Sequence, residues 1–473
     1  MNTFIILSSS GIIAMLAGSH QRKQWGLPIV LAACFLAILS ITLPWLGDYS
    51  AVLHNMLSFD KLSSSFSLVM VFLTIGILIL SHYYYYPAVE HLSDIYALFM
   101  FSLAGGILLV SFQNFVMLFL GAEILSIPLY ILAASHRRHL SSNEAGLKYY
   151  LMGSFATCFM LLGITLIYGA SGTFDLNELR LFLTNGGMQS SLFMTGITLV
   201  FGTLLFKLSA VPFHFWAPDV YQGAPTVLTA FVSTVVKVAV AGAMIKLAAA
   251  ISFEGIPASA NVVSQIAFSQ TTWFWLLVLA SAASMLFGSI VALQQNDLKR
   301  FLAYTGIFNA GFVLLPVLSK HPNVLSSLLY YMAGYGVAAI LCFTLYAELK
   351  KLTGIDTMSG LQGLLHKHKL AGVTMIVCLL SFTGIPPLAG FWGKFGILSL
   401  SMQSHLIPLV LVAILSSLIG AYNYIRIVTA IATPDNQNAT KLTFHPFFIG
   451  WLALGTLLLI AMGCFPESFI NLF

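Results

Sequence analysis

One apolar run after another, each close to the thickness of a bilayer's hydrocarbon core and divided from the next by a short polar loop, confines this chain to one kind of fold. A helix of about 20 residues crosses that core, and lipid offers no partner for an unpaired backbone group, so such runs must be spanning helices. They are read at 2–19, 27–47, 62–81, 94–111, 114–134, 147–170, 192–216, 225–249, 272–293, 299–319, 324–347, 370–400, 406–430 and 446–464. The predicted fold is an all-α polytopic membrane protein of about 14 transmembrane helices. Only 7% of the 473 residues are charged and 59% are apolar, whereas a soluble protein carries about 25% charged residues. A soluble enzyme is excluded. Met1 to Gly18 is apolar or small and lacks a basic n-region, its first charges being Arg22 and Lys23, so a first span is expected there instead of a cleaved signal peptide.

Thirteen basic residues, from Arg22 and Lys23 to Arg426 and Lys441, fall in odd-numbered loops or adjoining helix ends, and four (Lys61, Arg180, Lys246, Lys320) in even ones. The positive-inside rule then puts the odd loops in the cytoplasm and both termini on the opposite side. The net charge of +5 is dispersed over short loops, and no basic patch for nucleic acid or acidic lipid is expected. The five cysteines, Cys34, Cys158, Cys342, Cys378 and Cys464, lie far apart in apolar stretches; a disulfide, zinc or iron–sulfur framework is not expected. Most histidines sit in loops or near span ends, so no haem site is expected. Gly393-Lys394 resembles part of a phosphate-binding loop, but Phe395 stands where Ser or Thr is needed. Tyr83 to Tyr86, followed by Pro87, read as an interfacial aromatic belt.

The sequence repeats itself weakly. Gln113-Asn114 and Gln295-Asn296 lie 182 residues apart, and Ser209-Ala-Val-Pro212 and Thr383-Gly-Ile-Pro386 lie 174 apart, each followed by an aromatic-Trp pair, Phe215-Trp216 and Phe391-Trp392. Spans 4–8 and 9–13 are five helices each, an odd number, so the second set runs through the membrane in the opposite sense. That is an inverted-topology repeat, as in transporters. The expected organisation is a three-helix segment at 1–93, a first repeat at 94–250, a second at 271–431 and a last span at 446–473. Pro212, Pro386 and Pro387 each remove a backbone donor and crowd the preceding turn, so spans 7 and 12 should break. Such breaks are tolerated at membrane depth where the backbone is buried in protein or lines a cavity.

Four charges lie deep inside spans: Glu123, Lys207, Lys237 and Lys394. Each costs on the order of 3 kcal/mol at the bilayer centre. Lys246, near the end of its span, can snorkel to the interface, but Lys237 is about twelve residues from either end. Burial penalises a lysine's charged form and a neighbouring carboxylate restores it, so moving the carboxylate loads or unloads the lysine. A row of such groups is a proton path. His214, two residues past Pro212, could relay at neutral pH or simply satisfy hydrogen bonds at a kink. Glu144 and Lys148 are one turn apart, a surface pair or a feed to the path.

The segment Phe206-Lys-Leu-Ser-Ala-Val-Pro-Phe-His-Phe-Trp-Ala-Pro-Asp-Val-Tyr-Gln-Gly-Ala-Pro225 strongly resembles the subunit N family of proton-pumping NADH:quinone oxidoreductase, respiratory complex I. The likeness extends through Gly121-Ala-Glu123-Ile-Leu-Ser-Ile-Pro-Leu-Tyr130, Glu144-Ala-Gly-Leu-Lys148, Asp297-Leu-Lys-Arg-Phe-Leu-Ala-Tyr304 and Gly384-Ile-Pro-Pro-Leu-Ala-Gly-Phe-Trp-Gly-Lys394. It implies an antiporter-like fold with two inverted five-helix repeats and broken helices 7 and 12. It further implies that Glu123 pairs with Lys207, that Lys237 is a central relay and that Lys394 is the terminal proton-handling lysine. NAD, FMN, iron–sulfur clusters and quinone are then expected in partner subunits, with no cofactor in this chain and a bacterial inner membrane as its location. Mrp-type sodium/proton antiporter subunits share the architecture and give the alternative reading. Asn309 stands where many relatives carry a histidine, and Asn cannot titrate.

Overall fold

A computed structural model of the chain describes residues 2–19, 25–43, 56–85, 91–251, 271–319, 321, 323–434 and 442–470. The expectations placed on Arg22, Lys23, residues 44–47, Tyr86, Pro87, Lys320 and Lys441 lie outside them. Among the described residues there is no β-strand, only three isolated antiparallel bridges. The helices are α1 (Asn2–Ser19), α2 (Gly26–Thr42), α3 (Lys61–Tyr85), α4 (Leu92–Ser111), α5 (Phe115–Ala133), α6 (Leu140–Ser171), the short α7 (Leu176–Thr184), α8 (Ser191–Leu208) and α9 (Trp216–Gly223). There follow α10 (Thr226–Ile251), α11 (Thr272–Ala292), α12 (Leu298–Leu318), α13 (Val324–Thr353), α14 (Lys369–Thr383), α15 (Ala389–Gln403), α16 (Ile407–Ala432), α17 (Pro446–Cys464) and α18 (Pro466–Ile470). Eleven of the described helices are long and apolar enough to cross a bilayer, and α1, α2 and α14 are shorter apolar helices.

Spans 7 and 12 are broken, as their prolines require. The run 192–216 stops as a helix at Leu208, and 370–400 is interrupted between Thr383 and Ala389. In both, the helix ends before the proline: the ring would clash with the carbonyl one turn back, so the chain leaves the helical path first. Ser209 (φ 63°) and Gly384 (φ 88°) take the left-handed conformation at these ends. The Ala210 N–H donates to Leu205 O and Ser209 N–H to Phe206 O; likewise Ile385 N–H donates to Leu380 O and Gly384 N–H to Ser381 O. Both are Schellman closures. The sixth span, read from 147, begins at Leu140, because the polar stretch Ser141-Ser-Asn-Glu144 makes a helical first turn that hydropathy alone does not register.

The chain divides into two compact units, one built from Met1–Trp216, Gly223–Leu228 and Val235–Ala280, the other from Ala217–Gln222, Thr229–Thr234 and Ser281–Phe473. In the first, α4 and α5 approach so closely that a Cβ on Gly105 would lie 2.2 Å from Leu125 N, and one on Gly121 2.6 Å from Leu109 N. Close backbone approach through small residues is how helices associate in lipid, where no hydrophobic drive separates protein from solvent. Asn114 caps α5 through Val116 N–H and pairs in an antiparallel bridge with Asp175, just beyond α6 and its left-handed end at Gly172. In the second unit, Asp297 caps α12 through Arg300 N–H and bridges Thr357, just beyond α13 and its left-handed end at Gly354.

Candidate functional site

In the first unit, α5 carries Glu123 and α8 carries Lys207 at its penultimate position, one residue before the break. Lys207 is buried. Its Nζ donates to Ser126 Oγ at 2.6 Å and to Ala122 O at 3.3 Å, both on the turn of α5 that bears Glu123. The Glu123 carboxylate turns the other way and accepts from Thr157 Oγ1 on α6 at 2.7 Å. The Lys207 ammonium therefore docks on the turn that carries Glu123 without a closed ion pair. Ser126 Oγ in turn donates to Ala122 O at 2.7 Å. A Thr203 hydroxyl on α8 donates to Ala156 O at 2.9 Å, locking α8 to the segment of α6 that presents Thr157.

The second unit repeats the chemistry with different partners. Lys394, buried on α15, donates from Nζ to Phe382 O at 2.6 Å and to Thr383 O at 3.3 Å, the last carbonyls of α14 before its break. A helix's final carbonyls lack intrahelical donors and carry the negative end of its dipole, so an ammonium there is held by both effects. The rings of Phe308 and Phe312 lie 5.1 and 5.2 Å from the same nitrogen, within cation–π range. Nearby, Asn309 is buried and its Oδ1 accepts the Tyr331 hydroxyl at 2.7 Å.

Lys237 is buried and opens the α-helical part of α10 directly after a π turn, Val232–Val236. Such turns inside helices concentrate at functional sites. Pro212 and His214 sit in the break between α8 and α9, His214 buried, and Pro386 and Pro387 sit in the break between α14 and α15. Val211–Pro212 and Pro386–Pro387 are cis. Trp216 and Trp392 tie the breaks down: the indole of Trp216 donates to Phe206 O and that of Trp392 to Gly463 O, each at 2.9 Å. Glu144 is exposed and Lys148 half-buried on the first turns of α6. A cavity of about 770 Å³ runs along α6 and α8 to Pro212, and its walls, including Phe155, Phe159, Phe206 and Phe213, are almost wholly apolar. Walls of this kind suit lipid tails.

Lys246, expected to reach the interface, is buried along its stem; its Nζ donates to Ser58 Oγ at 2.7 Å and lies 3.6 Å from Asp60, exposed just ahead of α3. One reading needs correction. Tyr85 is buried against Tyr84 and His136, while Tyr83 and Tyr84 are half-exposed as a belt requires. Lys299, in the first turn of α12, is buried with Nζ donating to Gln222 O at 3.2 Å, beside an Arg300–Asp219 pair at 3.0 Å. Sequence reasoning also missed Ser126, Thr157 and the buried Glu348. A hydroxyl on an apolar helix carries no periodic signal that marks it as a partner, and Glu348 was hidden because α13 runs to Thr353, six residues past its expected end.

The family model for NADH:quinone oxidoreductase/Mrp antiporter transmembrane proteins matches residues 112–420. NADH-quinone oxidoreductase subunit N of Flavobacterium psychrophilum is 38% identical over the whole of both chains. The subunit N of Cytophaga hutchinsonii is 37% identical over all of this chain and 99% of its own. Among solved structures, a chain of respiratory complex I from Thermus thermophilus with bound aureothin superposes with a TM-score of 0.77 at 27% identity, covering 99% of this chain and 98% of that one. A chain of the Mrp complex from Dietzia sp. shares the fold, with a TM-score of 0.80 at 18% identity over 99% and 95% of the two chains. An integral membrane chain matched along its full length by these relatives, and over most of its residues by that family model, belongs to the NADH:quinone oxidoreductase/Mrp antiporter family, on its NADH-quinone oxidoreductase subunit N branch.

Proposed function

We propose that this chain moves protons across a bacterial inner membrane as a subunit of NADH:quinone oxidoreductase. Other subunits would hold NAD, FMN, iron–sulfur clusters and quinone, and this one would contribute protein side chains alone. The observation that carries the reading is a buried lysine at each of two broken helices, Lys207 and Lys394, each ammonium bonded to oxygen atoms at the break or on the facing helix. In the cycle, displacement of Glu123 from Thr157 changes the field at Lys207, which passes its proton by way of Lys237 toward Lys394 for release on the far side. Lys148, Glu144 and His214 would supply or relay protons at the first half. Asn309 holds the Tyr331 hydroxyl in place without itself titrating.

The same reading makes the eleven long helices and the three shorter apolar ones fourteen crossings, α14 and α15 counting as one broken span with α14 as its first half. It divides them into a three-helix segment (1–93), inverted repeats at 94–250 and 271–431 and a terminal span (446–473), with both termini outside the cytoplasm. Support for the repeat comes from backbone devices recurring at nearly constant offset: caps at Asn114 and Asp297, bridges to Asp175 and Thr357, left-handed ends at Gly172 and Gly354, and Schellman closures at Ser209 and Gly384.

Inverted membrane vesicles carrying Lys207→Ala or Lys394→Ala should assemble the complex and oxidise NADH while losing most of the proton uptake coupled to it. Undiminished uptake in both variants would reject the relay.

A further inference from the structure

A run of four basic residues in the first unit, His136 to His139, lies at one end of α4 and α5, and folding brings His91 to the same place. His136, Arg137, Arg138 and His139 form the turn between α5 and α6, held by His139 N–H donating to His136 O at 2.9 Å and by Asn143 Nδ2 donating to Arg137 O at 3.0 Å. His91, next to the start of α4, faces the same cavity of about 760 Å³, as does Asp94, whose carboxylate lies 3.7 Å from His91 Nδ1. Below this polar rim the cavity is walled by Ile95, Leu98, Ile131 and Leu132. Ile131 is 55% exposed and Leu140, just past the turn, 81% exposed, as befits side chains meeting lipid tails.

A cavity lined by two arginines and an apolar wall, at the end of spanning helices, matches one ligand by its chemistry. Arginine stays charged at any relevant pH and grips a phosphodiester through paired N–H donors, while the aliphatic wall takes acyl chains. We propose that this cavity is a binding site for an anionic phospholipid, its phosphate on Arg137 and Arg138 with the histidines as further donors, and its tails along Ile131 and Leu98. Among the described residues that line the cavity Asp94 is the one acid, against two arginines, so the net charge the headgroup meets there is positive. This site is separate from the proton path and stands or falls independently of it.

The test is native mass spectrometry of the intact complex in nanodiscs, with lipid retained on this subunit as the readout. Phosphatidylglycerol should remain bound to the wild-type subunit, and retention in Arg137→Gln/Arg138→Gln should fall by about tenfold or more, as expected for removal of two cationic contacts. Wild-type complex in phosphatidylcholine nanodiscs should retain no comparable lipid, which tests the site without relying on assembly of the variant. Equal retention of phosphatidylcholine, equal retention by the double variant, or displacement of the lipid by millimolar inorganic phosphate would each overturn the assignment.

Discussion

At Lys207 and Lys394 the structure solves one problem in two ways. A buried ammonium needs acceptors for its donors, and the first lysine finds them on a neighbouring helix, through Ser126 Oγ and Ala122 O, while the second finds them at the carbonyl end of a broken one. Glu123 is held apart from Lys207 by its bond to Thr157. A hydroxyl bonded to a carboxylate is worth about 1.5–3 kcal/mol, which is enough to fix where the carboxylate rests. Thr157→Val should therefore lower the ratio of protons taken up to electrons transferred in vesicles, and Thr157→Ser should restore it. Identical ratios for the two variants would show that the hydroxyl does not position Glu123. Sequence inspection could single out Glu123 and the lysines because charge in a hydrocarbon span is conspicuous. It could not single out Thr157 or Ser126, because a small hydroxyl is unremarkable until folding sets it against a charge.

At the scale of elements, the two breaks are where local backbone chemistry and mechanism meet. Pro212 and Pro386 announce that a helix must stop, yet the stop itself is made by Ser209 and Gly384 in the left-handed conformation. A residue with a Cβ costs roughly 1–2 kcal/mol there, and glycine almost nothing. Ser209→Gly should raise the subunit's resistance to thermal unfolding by about 1 kcal/mol while keeping the break. Gly384→Val should lower it by at least about 1–2 kcal/mol, since its Cβ would also meet Lys394 Cδ at 3.2 Å. Thermal melts of the purified complex, followed through loss of this subunit, check both signs. An unchanged midpoint in Gly384→Val would mean that the helix end is not set by that residue.

For the whole molecule, membership of the NADH:quinone oxidoreductase/Mrp antiporter family leaves two couplings to weigh, electron transfer and cation exchange. Sodium binding favours several oxygen ligands, whereas the charges lying deep within the spans are one half-buried carboxylate, Glu123, and three buried lysines, Lys207, Lys237 and Lys394. Replacing sodium by choline should accordingly leave NADH-driven proton uptake in inverted vesicles unchanged. A requirement for sodium, or sodium-driven pH changes without NADH, would favour cation exchange instead.

The sequence alone determined the solvent this chain lives in, its helical character, the helices that must break and the charges that need a reason to be buried. These follow from composition and local sterics, which act within one helix. Tertiary structure alone decided that Lys207 rests on Ser126 and not directly on Glu123, that Lys394 caps a helix end, that Lys246 and Lys299 are buried, and that His91 joins the run His136 to His139 around one cavity. Each of these is a meeting of side chains from separate helices, and in lipid the pairing of helices depends on shape and hydrogen bonds, neither of which hydropathy records.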